Sequence, residues 1–136
     1  MAKQRFKLRH IALSVEDVAK AQKFFEEAFG MTKAGDAQNG IYMTDGTMNV
    51  ALLAKGGKVP GIDKPYYGVM HFGMWVDDLV QAEEQVKQAG AIHYQGRPPN
   101  TPNSYYEVKY RDPSGIIFDI TASGWRGAVK NVMPAD

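Results

Sequence analysis

HIALSVEDVAKA, residues 10–21, decides the fold, because HFGMWVDDLVQA at residues 71–82 repeats it once. His10 and His71, Val15 and Val76, Asp17 and Asp78, and Ala21 and Ala82 are identical in the two copies. The pairs Ala12/Gly73, Leu13/Met74, Glu16/Asp77 and Val18/Leu79 are close. Each copy reads as a strand, a turn and the start of a helix. Two copies this far apart are too few for a solenoid. They describe one unit used twice, with residues at equivalent positions expected to meet near the axis between the copies.

Outward from the first copy, Phe6 to Val15 alternates like a strand, with Ile11, Leu13 and Val15 on one face and Leu8, His10, Ala12 and Ser14 on the other. Asp17 is placed to cap a helix; Val18, Ala21, Phe25 and Ala28 recur at helical spacing, Phe24 and Phe29 widen the stripe, and Gly30 ends it. Ile41 to Met43 and Met48 to Leu53 form a hairpin around Asp45-Gly46, and a short strand is expected near Met31 to Ala34. KGGKVPGIDKP, residues 55–65, reads as a linker.

The second half repeats the plan. Val69 to Val76 is a strand, with Met70, Phe72, Met74 and Val76 towards the helix and Val69, His71, Gly73 and Trp75 away from it. Asp78 caps a helix whose stripe is Leu79, Ala82, Val86 and Ala89 and which closes at Gly90. A strand is expected at Ala91 to Tyr94 and a loop at RPPNTPNS, residues 97–104. A hairpin then joins Tyr105 to Arg111 and Ile116 to Thr121 across Asp112-Pro113-Ser114-Gly115. The expected organisation is a single domain over 1–136: module one at 6–54, linker at 55–65, module two at 66–121 and a tail at 122–136. Trp125 in that tail packs on the body or on a second subunit.

Composition bounds the function. A length of 136 residues allows one compact domain, and 44% hydrophobic with 23% charged residues supports a buried core. A net charge of +1 gives no electrostatic case for nucleic acid or an anionic membrane. Without cysteine there is no disulfide, thiolate metal site or cysteine nucleophile. No apolar run approaches the ~20 residues of a membrane span, and MAKQRFKLRH lacks the apolar centre of a secretory signal, so a cytoplasmic protein is expected.

The chemistry follows from which residues share a face. His10 and His71 both lie on the strand face turned from the helix, with Ala12 and Gly73 leaving room beside them. On the last strand Ile116, Phe118 and Ile120 take the helix side, which puts Asp119 on the histidines' face. The two hairpins align at Ala51 and Asp119, so the first-half counterpart of the acid is an alanine. A lone strand histidine is ordinarily a hydrogen-bonded core or rim residue. Two of three histidines at identical repeat positions, with an acid on the same face, favour ligation of a divalent ion by two imidazoles and one carboxylate. Burying Asp119 without a partner charge would be costly, and a cation supplies one. His93 has no repeat partner, so a surface or hydrogen-bonded role is favoured over acid–base work. Lys109 and Arg111 are read as solvated edge charges in preference to a binding site for an anionic group, and Trp75 and the tyrosines at 42, 105, 106 and 110 as strand residues or as a wall for a ring substrate.

At HIALSVEDVAKAQKFFEEAFG, HFGMWVDD and DPSGIIFDI the chain resembles the vicinal oxygen chelate superfamily, which includes glyoxalase I, extradiol dioxygenases, fosfomycin-resistance proteins, methylmalonyl-CoA epimerase and bleomycin-resistance proteins. The resemblance runs from Leu8 to Thr121. It implies an α+β fold of two βαβββ modules forming a half-open, mostly antiparallel, eight-stranded barrel-like sheet around a metal, usually in a homodimer. His10, His71 and Asp119 fall on the superfamily's metal positions, with Fe2+ or Mn2+ favoured and Zn2+ or Ni2+ as alternatives. Asp119 stands where glutamate is usual. Ala51 stands where glyoxalase I has a fourth ligand that doubles as base, which counts against a glyoxalase-type lyase and against an epimerase.

The activity that the resemblance then implies is that of a metal-dependent enzyme on a small molecule chelating through neighbouring oxygens, most nearly an extradiol dioxygenase. In that reading Tyr110 or Tyr106 orients the substrate and His93 is the spare histidine for proton transfer. A fosfomycin-resistance-like transferase ranks lower, because Ala12 lacks the hydroxyl that subgroup carries there. A non-catalytic module that only sequesters a ligand, as bleomycin-resistance proteins do, is the contrasting class.

Overall fold

A computed structural model of the chain describes residues 3–54, 65–96 and 107–132. The fold is α+β, with eight strands paired mostly antiparallel and two helices. In chain order these are β1 (Lys7–Val15), α1 (Val18–Phe29), β2 (Thr32–Ala37), β3 (Gly40–Thr44), β4 (Asn49–Ala54), β5 (Gly68–Trp75), α2 (Leu79–Gln88), β6 (Ile92–Gly96), β7 (Val108–Arg111) and β8 (Ile117–Thr121). That order is βαβββ twice, as the repeat requires. No helix among the described residues is long and apolar enough to cross a membrane.

The chain divides into two compact units, and each borrows a piece from the far end of the sequence. One holds Arg9–Met70 with Trp125–Asp136; the other holds Met1–Leu8 with His71–Gly124. They are called here the α1 unit and the α2 unit.

In the α1 unit the strands run β2-β3-β4-β1, with β1 parallel to β4 and the other pairs antiparallel. Asp17 caps α1 by accepting from the Lys20 N–H at 3.0 Å, and Gly30 ends it in the left-handed conformation at φ 67°. Such a cap contributes about 1 kcal/mol. Ile41, Met43, Val50 and Leu52 form the core, with Leu13, Val15, Val18, Ala21 and Phe25 packed against it. Phe24 and Phe29, expected to widen the buried stripe of α1, are each 58% exposed and instead meet Phe25 edge to face. On β1 the face opposite the helix is the better covered: His10, Ala12 and Ser14 are buried, and Ile11, Leu13 and Val15 are half-buried.

The tail belongs to this unit. Arg9 donates from Nε to the Val129 carbonyl at 2.7 Å, Thr44 from Oγ1 to the Gly127 carbonyl at 2.7 Å, and the Val129 N–H to the Thr47 carbonyl at 2.9 Å. Gly127, at φ 81°, could not carry a Cβ without meeting Thr44 and Ala34.

In the α2 unit the strands run β5-β8-β7-β6, with β5 parallel to β8. Asp78 caps α2 through the Gln81 N–H at 3.0 Å, and Gln4 reinforces that end by accepting from the Asp77 and Asp78 N–H groups. The core is Val76, Leu79, Ala82, Val108, Tyr110, Phe118 and Ile120. Phe118 and Ile120 face the helix as the alternation predicts, whereas Ile116 precedes β8 and is exposed. The β7–β8 turn is tied by Asp112, whose Oδ1 accepts from the N–H groups of Ser114 and Ile116. Residues 55–64 of the expected linker and the whole of the expected 97–104 loop, with Tyr105 and Tyr106, lie outside the described residues.

Candidate metal centre

Strand alternation builds one cluster within the α2 unit. Val108 and Tyr110 of β7 point into the helix-side core, so Lys109 points the other way, directly across the ladder from Asp119 of β8. On the other side of β8, Asp119 is paired with Gly73 of β5, two residues beyond His71. His71 Nε2 lies 2.9 Å from Asp119 Oδ2, and Lys109 Nζ lies 2.6 Å from Asp119 Oδ1 and 3.8 Å from Glu107. Asp119 is 0% exposed.

The electrostatics follow from that burial. Desolvation raises the Asp119 pKa, but hydrogen bonds with Glu107 and His71 and the charges of His71 and Lys109 prevail and hold it well below the usual carboxylate range. Burial also works against the Lys109 ammonium, and the negative charges of Asp119 and Glu107 outweigh it, so the Lys109 pKa is raised. The buried acid therefore has an internal counter-ion. Lys109, expected as a solvated edge charge, supplies a positive charge that Asp119 was expected to find in a metal.

The donor set still fits a cation. Ligand atoms of His71, Glu107 and Asp119 lie within 4.8 Å of one another. Bonds of about 2.0–2.2 Å to one ion would place its donors about 3–4.3 Å apart, so small side-chain rotations suffice. Imidazole with carboxylate is the donor chemistry of divalent first-row metals. Glu107 was not singled out from the sequence. Its signal was the same alternation that turns Lys109 to this face.

In the α1 unit His10 is 3% exposed. Its Nδ1 is 2.6 Å from Asn49 Oδ1, and Trp125 stacks on the imidazole with centroids 4.6 Å apart and planes 10° from parallel. His10 and Asn49 are register partners in the β1–β4 ladder, as are Ala12 and Ala51. Ala51, buried on that face, offers no donor. Trp125 thus packs within the unit that contains His10; only the packing partner was left open by the sequence.

The other expected site residues do not join these groups. Tyr110 is 0% exposed, and its hydroxyl donates to Glu83 Oε1 of α2 at 2.7 Å. It faces the helix, whereas its neighbour Lys109 faces Asp119. His93 is the register partner of Tyr110 and meets its ring edge to face, so it shares the helix side; its Nε2 is 3.3 Å from the Gly96 carbonyl. It is an exposed, hydrogen-bonded histidine, as its lack of a repeat partner suggested. Tyr106 lies outside the described residues.

Residues 7–120 match the family model described as Glyoxalase/Bleomycin resistance protein/Dioxygenase superfamily. No curated protein matches the chain in sequence. Among solved structures, a hypothetical protein, BH1468, from Bacillus halodurans C-125 aligns with a TM-score of 0.69 at 16% identity, covering 93% of this chain and 99% of that one. Methylmalonyl-CoA epimerase from Mycobacterium tuberculosis gives 0.67 at 18% identity over 84% of this chain and 85% of that one. The Mn(II)-bound glyoxalase from Novosphingobium aromaticivorans gives 0.66 at 17% identity over 96% of this chain and 44% of that one. At these identities the likeness is one of fold.

Proposed function

Since the chain belongs to the Glyoxalase/Bleomycin resistance protein/Dioxygenase superfamily, we propose that it is a divalent-metal-dependent enzyme acting on a small molecule that binds through two neighbouring oxygens. The observation that carries this reading is the cluster of His71, Glu107 and Asp119 around Lys109. The sequence repeat supports adding His10, the counterpart of His71, as the second imidazole. A divalent ion held by His10, His71 and Asp119 would act as a Lewis acid towards an oxyanion or enolate.

The chain's own groups divide the remaining work. Asp119 is held ionised. Glu107, beside it, would take a proton from a carbon next to the chelating oxygens, a role that its closeness to His71 and Asp119 supports. Lys109 balances the carboxylates and offers its ammonium to a substrate anion. This moves the favoured reaction from ring cleavage towards proton transfer of the glyoxalase-like lyase kind: Glu107, just before β7, would supply the base missing at Ala51, while Tyr110 and His93 are turned towards the helix side.

A second reading is favoured by the ligand types. Two histidines and one carboxylate are the facial set of Fe(II) oxygenases, which supports an extradiol-dioxygenase-like activity. Purification without chelator followed by metal analysis tests both readings, and an ion-free protein whose ligand binding ignores chelator would replace them with a sequestering module. Loading with Fe(II), Mn(II), Ni(II) or Zn(II) then separates the two: deuterium uptake from solvent at a carbon beside a carbonyl marks the lyase, and oxygen consumption with catechols marks the dioxygenase. A homodimer is the proposed assembly, tested by light scattering.

A further inference from the structure

We propose that Asn49 is a positioning residue, anchored through the tail, that fixes His10 as the Nδ1–H tautomer and so sets Nε2 as the nitrogen carrying the ligating lone pair. The inference rests on the metal reading above for its purpose and on the α1 unit alone for its geometry. Amide oxygen and nitrogen are told apart by their partners. Asn49 Nδ2 donates at 2.8 Å to the Arg126 carbonyl, which can only accept, so the amide oxygen must be the atom turned to His10. An oxygen 2.6 Å from Nδ1 requires a proton on that nitrogen. In neutral imidazole the lone pair is then on Nε2.

Three restraints act on one ring. Asn49 and His10 are partners across the β1–β4 ladder, so their contact is set by sheet register. Trp125, the residue before Arg126, stacks on the imidazole and fixes its plane. The tail carrying both is held by Thr44, Thr47 and Arg9. Tail, amide and imidazole are thus connected in series, an arrangement suited to orienting a metal ligand through its far nitrogen.

Long-range proton–nitrogen NMR spectra of the metal-free full chain test the tautomer directly. The expected wild-type result is His10 protonated at Nδ1. In Asn49→Ala a shift towards the Nε2–H form is expected, with Mn(II) or Zn(II) bound about 10- to 100-fold more weakly. Asn49→Asp, which keeps an acceptor towards Nδ1, should retain the wild-type tautomer. Lys23→Ala, on the exposed side of α1 in the same unit and outside this series, should leave tautomer and affinity unchanged. An Nε2–H tautomer in the wild type, or an Asn49→Ala variant unaltered in both readouts, overturns the proposal. If the wild type shows Nδ1–H but binds no divalent ion, the metal reading falls and the hold of Asn49 on His10 stands.

Discussion

Lys109 Nζ lies 2.6 Å from Asp119 Oδ1, directly across the β7–β8 ladder. The most deeply buried acid on the cluster's face is therefore already neutralised by an ammonium from the next strand. A metal ion entering the cluster must compete with that lysine for Asp119.

Replacing Lys109 by methionine should act in opposite directions on stability and on metal binding. Without ion, removing one partner of a largely buried pair should destabilise the fold by about 3 kcal/mol. With ion, loss of the competing ammonium should tighten divalent binding. Urea unfolding with and without chelator, together with a metal titration, checks both halves; a variant that binds more weakly would show that Lys109 assists the ion.

The pH dependence of the same pair has a definite sign. The folded pKa of Asp119 is lowered from 3.8, so its contribution is present above that pH and is lost as pH falls through the lower folded value. The folded pKa of Lys109 is raised from 10.5, so its contribution is present below that pH and is lost as pH rises through the raised value. In chelator, the stability gap between wild type and Asp119→Asn should stay level near neutrality and close only on the acid side of 3.8. A gap that changes near neutrality would overturn this assignment.

Glu107→Gln separates base from ligand. If Glu107 transfers the proton, the variant should keep a stoichiometric ion and lose about 10^2- to 10^4-fold in turnover. Loss of the ion with retained folding, measured by metal analysis and circular dichroism, would make Glu107 a ligand. His71→Ala is expected to lose the ion outright.

Tyr110→Phe should touch the core and not the chemistry. The change removes the hydroxyl that donates to buried Glu83 and should cost about 1–2 kcal/mol in thermal or urea unfolding. Metal affinity should be unchanged, because Tyr110 faces α2; a large drop in affinity would place the ring's influence on the other side of the sheet.

Local patterning made much of this readable in advance. Asp17 and Asp78 cap the helices they were expected to cap, and the repeat gave βαβββ twice. The period of two along β8 separated Phe118 and Ile120 from Asp119, which the fold sets beside His71. The same period along β7 separates Tyr110 from Lys109, but an aromatic residue suggests a substrate wall and a lysine suggests solvent, and residue type misled where periodicity was correct. Glu83 inside α2 was invisible because its burial depends on a hydroxyl from a distant strand. Asn49 and Trp125 were beyond local patterning altogether: each depends on where the tail returns, a long-range event that no short window of sequence encodes.

That return has a consequence during synthesis. As the nascent chain emerges, β1 through β4 leave the ribosome well before Trp125 and Arg126, and until those two residues follow, Asn49 lacks its carbonyl partner and His10 its stacking ring. Vectorial folding can assemble the first helix and its strands early, yet the imidazole at residue 10 acquires its mature setting only near the end of translation. A ribosome stalled before that point would carry a folded half whose residue-10 imidazole lacks its stacking ring.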